Sequence, residues 1–394
     1  MVIIGGGVGG TAIAHHLAAL GERDVVLLDR NELTSGSTFH SAGLVGQLRS
    51  SLSLTRLMMD SVELYRTLDC GWVQCGGIRL ACTPEREQEV LRQVAWAKTF
   101  GLPLELISAE QARELFPLMS VEGVRCASYL PSDGYLDPSL LTTALADGAR
   151  SGGCRIFTHT RVTGIDVDES PTRPRVRGVQ TEWGPIEAEV VVNAGGMFAA
   201  EIGRLAGVRV PIVPFAHEYL VTQPFRERAA GEHLPTLRDP DLLIYFREEG
   251  GGLVMGGYER HSAPWALDER LMDAIPADFN GRLLEEDWPR FEEIAASSRR
   301  RVPAMDEITV TRLINGPEAF TPDNEFCLGE SEVGGLFVAA GFCAHGLAGA
   351  GGIGRVMAEW IVEGEPSTDV WEMDIRRFGS HFRSPGYTLK RAKE

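Results

Sequence analysis

Residues 2–30 read VIIGGGVGGTAIAHHLAALGERDVVLLDR, and this stretch limits the folds open to the chain more than any other. A short apolar strand, Val2 to Ile4, runs into a turn with glycines at G-x-G-x-x-G spacing, Gly5, Gly7 and Gly10. An Ala/Leu-rich helical phrase follows, then a second apolar strand, Val25 to Leu28, ending in Asp29. Elements in this register make the βαβ unit that binds a dinucleotide. Gly5 permits the tight turn, Gly7 lets a pyrophosphate approach the backbone, and Gly10 lets helix and strand pack closely. The phosphates then meet the positive end of the helix. Asp29 follows Gly10 by 19 residues, where a carboxylate can bond ribose hydroxyls. Glycine turns are common, so the spacing carries weight only because strand, helix, second strand and acid surround it.

At 394 residues the chain is long enough for one large or two interleaved domains. A net charge of −17 argues against a nucleic-acid partner, whose phosphates need a basic surface. No apolar run reaches membrane-spanning length, so no membrane partner is expected. Seven cysteines show no C-x-x-C pair and no zinc spacing; Cys70 and Cys75 read as packing residues rather than a redox pair. No metal site and a reducing, cytoplasmic setting are the expectations. The apolar N-terminus is too short for a signal peptide and is needed as a strand. Both ends read as cut: Met1 directly precedes a strand, and Leu389 to Glu394 is a charged helical phrase without a stop signal.

Further along, helical patterns fall at Ser53 to Leu68, Pro84 to Phe100, Ala109 to Phe116 and Pro138 to Arg150. Short strands are expected at Arg155 to His159, Val176 to Glu182 and Glu187 to Val192, the last entering the small turn Asn193-Ala194-Gly195-Gly196. Mixed strands and turns fill Val208 to Gly257, and helical segments are expected between Ala266 and Ser297. Strands return at Ile308 to Ile314 and Gly335 to Ala339. Then GFCAHGLAGAGGIG, residues 341–354, opens a helix to Glu363. A nicotinamide dehydrogenase rarely needs this second glycine-rich turn. A flavin adenine dinucleotide fold does, because a second helix N-terminus can stabilise negative charge on the reduced isoalloxazine.

The phrases LTSGSTFHSAGL, DGYLDPSLLTTAL, VVVNAGGMFA, HEYLVTQP, INGPEAFTPDNEFCLGE and GFCAHGLAGAGGIGRVMAEWIVEG span nearly the whole chain. In combination they resemble the D-amino-acid-oxidase-like flavoproteins, and within them the dimethylglycine and sarcosine dehydrogenase group. The resemblance implies an α/β fold, with a discontinuous FAD-binding Rossmann-like domain (residues 1–75, 135–205 and 315–370). A mixed-sheet substrate domain would take 76–134 and 206–314, and 371–394 would be a C-terminal tail. It implies FAD-dependent oxidation of an N-methylated or other secondary or tertiary amine, often an amino acid, with oxygen or an electron-transfer protein as acceptor. The folate-binding region that many relatives carry at their C-terminus has no counterpart in this sequence. Many relatives carry a Trp-His pair whose histidine is bonded to the flavin 8α-methyl; the pair here is Phe39-His40. A neutral imidazole is a competent nucleophile toward that methyl, and a histidine that merely lines the loop is the alternative.

Candidate cofactor residues are Gly5, Gly7, Gly10, Asp29, Arg30, Ser37, Thr38, His40, Val162, Gly195, Gly346, Gly349, Gly351 and Gly352. Arg30 is either a phosphate or ribose contact or plain surface; Ser37, Thr38 and Ser41 either bond the cofactor or satisfy their own loop. Candidate substrate-side residues are His217, Tyr219, Tyr245, Arg247, Tyr258 and His345. Strand alternation puts His217 with Tyr219, and Tyr245 with Arg247. An arginine fork fits a substrate carboxylate, so Arg247 is the expected clamp, against the ordinary reading of a solvated charge. Glu318, Thr321 and Asp323 fall in a phrase that in the family passes near the cofactor, though as bare residues they read as a turn. Cys343 has no general base implied beside it. Three lysines, Lys98, Lys390 and Lys393, lie outside every cofactor phrase. Positive charge near the flavin is therefore expected from a histidine, an arginine or a helix end, with His345 foremost. The alternatives are an oxidase of a primary amino acid or 2-hydroxy acid and, in another class, a non-catalytic flavin subunit of an electron-transfer complex.

Overall fold

The glycine turn forms as its spacing requires. Gly5 has φ +118°, and a Cβ there would stand 2.3 Å from the Ala194 carbonyl oxygen; one on Gly10 would stand 2.0 Å from Gly5 O. The computed structural model describes residues 1–168, 170, 173–227 and 231–394. Its central layer is a six-stranded sheet in the order Cys327–Glu330, Leu336–Ala340, Val191–Asn193, Val2–Ile4, Val26–Leu28, Arg155–Phe157. All neighbours run parallel except the first pair. These strands are short and almost wholly apolar, as parallel strands covered on both faces must be. The helices Val8–Ala19, Leu52–Tyr65, Pro138–Ser151 and Gly346–Glu363 pack together beside this sheet. Ile13, Leu17, Leu57, Met58, Leu141 and Ile353 fill the space between them. This is the α/β class that the sequence implies.

A second, nine-stranded sheet carries the other half of the site. Its long central pair is Val213–Thr222 against Val310–Phe320, antiparallel, with His217 opposite Gly316 and Phe215 opposite Glu318. The strands Gly252–Gly257, Ile244–Glu249, Thr236–Asp239 and Gly77–Ala81 continue it on one side.

Three expectations are corrected here. Between Ala266 and Ser297 the chain is mostly irregular, and a helix forms only at Trp288–Arg301. Pro276, Asn280 and Gly281 supply turn chemistry that overrides the weak helical pattern. The PEAFTPD phrase does not begin as a turn: the strand runs on to Phe320 because ten residues of Val213–Thr222 pair along it. The expected strand Glu187 to Val192 divides, with Gly184–Glu187 closing a hairpin and Val191–Asn193 entering the central sheet. All seven cysteines are free thiols. No helix among the described residues is long and apolar enough to cross a membrane.

Candidate active site

Two cavities meet at one residue. The larger encloses about 1110 Å³ and runs along the carboxyl ends of the central strands. The smaller, about 570 Å³, lies against the nine-stranded sheet. Glu318 lines both.

The larger groove starts at the Val8–Ala19 helix, whose N-cap residue is Gly7 and whose first turn, Gly7 to Gly9, lines it. Gly5, Asp29, Arg30, Ser37, Thr38, Val162 and Gly195 all line it. Asp29 closes the second strand; its carboxylate accepts from Gly6 N at 2.6 Å and Asn31 N at 2.7 Å. Burial raises its pKa, and those two bonds oppose the rise. Arg30 lies 3.8 Å over the Phe198 ring and donates to Ala277 O at 3.0 Å. Thr38 Oγ1 accepts from Val8 N at 3.2 Å, and Ser37 Oγ donates to Pro317 O at 2.6 Å. These two hydroxyls therefore fasten the loop that carries His40.

The second glycine turn divides its labour differently from the expectation. Gly341 and Phe342 line the groove. Gly349, Gly351 and Gly352 do not; they lie in the helix Gly346–Glu363 against the helix Leu52–Tyr65. A Cβ on Gly352 would stand 2.2 Å from Leu57 O, and one on Gly351 2.7 Å from Ser61 Cα. These glycines let two helices approach closely, which is a packing reason for the same residue type. Gly346 abuts the Phe342 ring.

His40 ends the short turn Thr38–His40 and is 6% exposed. Its Nε2 is buried with no partner. Burial, with the nearby His217 charge next, pushes its pKa down to about 4, so the ring is neutral at pH 7. Phe39 meets it edge-on at 5.1 Å.

The smaller cavity is a product of strand register. Arg238 pairs with Tyr245, Tyr245 with Gly256, and Gly256 with Tyr219, so these side chains project from one row of the sheet. Gly256 has no Cβ because the Tyr245 hydroxyl takes that place, 2.3 Å from where one would stand. His217, Tyr219, Tyr245, Tyr258 and His345 all line the cavity. Arg247 does not. Its Nε donates to Ala42 O, and its Nη1 to Glu248 O and the Glu249 carboxylate. Its fork is spent on holding the loop behind the cavity.

The guanidinium groups facing the cavity are Arg49 and Arg238, which the sequence reading passed over. Among the described residues neither side chain has a hydrogen bond or ion pair, and Arg49 Nε is buried without a partner. Burial and the Arg238 charge lower the Arg49 pKa to about 10. The nearby Asp133 is raised to about 6 by burial, against its hydrogen bonds from Gln47. Asp133 feels the charge of both arginines but has no hydrogen bond or ion pair to either among the described residues. Burial and those same arginines hold His345 well below its ordinary pKa, so it is neutral and is not the source of positive charge expected of it. For His217 burial works to lower the pKa, but the Glu259 carboxylate, 3.1 Å from its Nδ1, outweighs burial and raises it, which favours the cationic form. The Cys343 thiol is pushed up to about 12 by burial, which removes it as a nucleophile. Cys82, Asp239 and Asp241 gather their ligand atoms within 4.8 Å. Arg301 already supplies the cation there, 2.8 Å from Asp239.

The sequence profile described as FAD dependent oxidoreductase matches residues 1–360. The chain belongs to that family. Residues 363–394 match the profile described as FAD dependent oxidoreductase central domain. The mitochondrial dimethylglycine dehydrogenase of Rattus norvegicus is 36% identical over 100% of this chain and 46% of its own length. The 4-methylaminobutanoate oxidase (formaldehyde-forming) of Paenarthrobacter nicotinovorans is 35% identical over 100% of this chain and 47% of its own length. The chain therefore spans about half the length of the curated relatives it matches. The crystal structure of L-proline dehydrogenase from P. horikoshii superposes with a TM-score of 0.85, at 29% identity and 96% coverage of both chains.

The residues present fit FAD. The groove is lined by Gly5, where a Cβ would collide with backbone, the N-terminus of the Val8–Ala19 helix lines it, and His40 in the adjoining cavity presents a nitrogen without a partner among the described residues. Gly5, Gly7, Asp29, Ser37, Thr38 and Val162 line the groove and would hold the dinucleotide; His40 lines the adjoining smaller cavity.

Proposed function

We propose that the protein oxidises the C–N bond of an N-methylated or other secondary or tertiary amine, above all an N-methyl amino acid. The observation that carries this reading is the pair Arg49 and Arg238, without ionic partners among the described residues, in a cavity that shares Glu318 with the cofactor groove. A carboxylate bound by the arginines would set the amine end of the same molecule toward that groove. The relatives' names point the same way: dimethylglycine and 4-methylaminobutanoate are both N-methyl amino acids.

When bound, FAD supplies the acceptor for a hydride equivalent, two electrons and one proton, from the C–H bond beside nitrogen. The chain's own residues do the rest. Arg49 and Arg238 hold the carboxylate in a partly desolvated site, where such bonds are strongest. Tyr219, Tyr245 and Tyr258 wall the cavity, orient the substrate and exclude water from the reacting carbon. The oxidised substrate is an iminium, which water hydrolyses, and formaldehyde leaves when the oxidised carbon was a methyl.

In the same reading His40 carries the cofactor covalently through Nε2, which its neutral, buried ring and an Nε2 without a partner among the described residues support. The acceptor that reoxidises the cofactor is oxygen or an electron-transfer protein, and the seven free thiols suit a reducing compartment such as the cytoplasm.

The test is an anaerobic screen of the FAD-loaded protein, following loss of oxidised flavin absorbance. N-methyl amino acids should bleach it faster than uncharged methylamines or primary amino acids. Bleaching by primary amino acids or 2-hydroxy acids alone would replace this reading with the other oxidase class. Absence of any bleaching would leave a flavin-binding subunit without amine chemistry.

A further inference from the structure

His217 stands between two carboxyl groups, and they differ in kind. Glu259 is anchored: its Oε2 lies 3.1 Å from His217 Nδ1, its Oε1 accepts from Glu218 N at 3.1 Å, and Arg290 Nη1 is 3.5 Å away. His217, by charge and hydrogen bond, overcomes the effect of burial and holds the Glu259 pKa below its ordinary value. Glu318 has no hydrogen bond or ion pair among the described residues. The register opposes His217 to Gly316 and Phe215 to Glu318, which makes His217 and Glu318 diagonal neighbours on one face of the sheet. Glu318 is also the residue where the cofactor groove and the arginine-lined cavity join. Its position is fixed from the cofactor side: Pro317 O is bonded by Ser37, and Gly316 abuts His40.

We propose that Glu318 receives the ammonium group of the substrate and takes its proton, so that the amine stands neutral beside the cofactor groove. This rests on the amine-oxidation reading above. An alkylammonium is the dominant form of such a substrate at neutral pH, yet only a nitrogen with a free electron pair can stabilise the cation that forms on the neighbouring carbon. The step moves one proton and no electrons: the ammonium N–H bond breaks, a Glu318 O–H bond forms, and the N–H electron pair stays on nitrogen. The proton leaves Glu318 for solvent when the product departs.

The charges around the site suit this role. Arg49 and Arg238 attract the carboxylate of a zwitterion, and Glu318 is the one acid among the described residues of that cavity's lining, at its junction with the groove. His217, whose pKa Glu259 raises, favours the ionised Glu318 before substrate arrives; His40 and His345, the other histidines of the lining, are held below their ordinary pKa. Burial raises the Glu318 pKa to about 7, with His217 pulling it down, so this carboxyl can both give and take a proton near neutrality.

Two inert carboxylates separate charge recognition from packing. Trimethylglycine carries a fixed cation, and (methylthio)acetate is an uncharged analogue at the same position. Titrated into oxidised, FAD-loaded protein and read by the flavin spectrum, trimethylglycine should bind Glu318→Gln roughly 10- to 100-fold more weakly than wild type. (Methylthio)acetate should bind both alike or the variant more tightly, and Glu318→Asp should recover part of the loss. Flavin reduction by an N-methyl amino acid should slow in Glu318→Gln at pH 7 and recover toward pH 9–10, where the amine deprotonates in solution. Equal weakening of both probes, or wild-type binding of both with an unchanged pH profile, would overturn the assignment. If no N-methyl amine reduces the wild-type protein, the failure lies instead with the amine reading.

Discussion

Gly316 and His40 share a space that admits no further atom: a Cβ on Gly316 would stand 2.3 Å from His40 Nδ1. The strand Val310–Phe320 thereby fixes the imidazole, which lines the smaller cavity where it adjoins the cofactor groove. Wild-type protein loaded with FAD should keep its yellow colour through acid precipitation. His40→Ala should release the colour completely, and Gly316→Ala, by displacing the ring, should release most of it. Fully loaded wild-type protein that surrenders all its flavin to the supernatant would contradict the covalent link.

Arg49→Met and Arg238→Met should each raise the apparent Kd for N-methyl amino acids about 10- to 100-fold, the effect of losing a charge-assisted bond of roughly 1.5–3 kcal/mol. Uncharged methylamines should be affected little. Arg247→Met should behave differently, because its bonds go to Ala42, Glu248 and Glu249. It should lower the melting temperature and weaken acids and uncharged amines together. A selective loss of acid binding in Arg247→Met would restore that residue as the clamp. Anaerobic flavin reduction across substrate concentrations measures all three variants.

Why the sequence pointed to Arg247 and missed Arg49 and Arg238 has a physical reason. The βαβ unit, the flavin class and the residues around the groove are local features, written in consecutive glycines and apolar runs. Face-sharing of Tyr245 with Arg247 is also local, because strand side chains alternate. Which end of that row meets a cavity depends on register with Thr236–Asp239 and on the loop at Ala42, pairings far apart in sequence. Arg49 sits in GQLRSS, a loop phrase with no periodicity to interpret. The charge on His345 was misjudged for the same reason: burial first, then two arginines distant in sequence, suppress it. Gly349, Gly351 and Gly352 show a different ambiguity, since close approach to a helix and close approach to a cofactor ask for the same residue.

That ambiguity can be tested. Gly352→Ala should lower stability by roughly 1–3 kcal/mol through overpacking against Leu57, with FAD affinity in the folded protein nearly unchanged. Gly7→Ala should do the reverse, cutting FAD affinity with little change in the melting temperature of the cofactor-free protein. Fluorescence titration with FAD and thermal denaturation distinguish them. A Gly352→Ala protein of normal stability but poor FAD binding would return that glycine to the cofactor site.

His16 gives the fold a defined acid sensitivity. Burial, followed by the charges of His15 and Arg355, lowers its pKa to about 4. The unfolded chain takes up its proton near pH 6.5, before the folded protein does. Stability from this group is therefore full above pH 6.5 and lost as pH falls toward 4. Between pH 7.5 and pH 5 it should account for about 2 kcal/mol of lost stability. Denaturant unfolding of His16→Gln at both pH values should show a smaller acid loss by about that amount. An identical loss in wild type and variant would mean that the imidazole is protonated in the fold.

The central claim is oxidation of an N-methyl carbon, and one single-turnover experiment tests it most directly. FAD-loaded protein is mixed without oxygen with one equivalent of an N-methyl amino acid carrying an isotopic label in the methyl group. The account predicts one labelled formaldehyde for each flavin reduced and the demethylated amino acid as the other product. Flavin reduction accompanied by free methylamine and a 2-oxo acid, with no labelled formaldehyde, would place the oxidised bond on the other side of the nitrogen and contradict it.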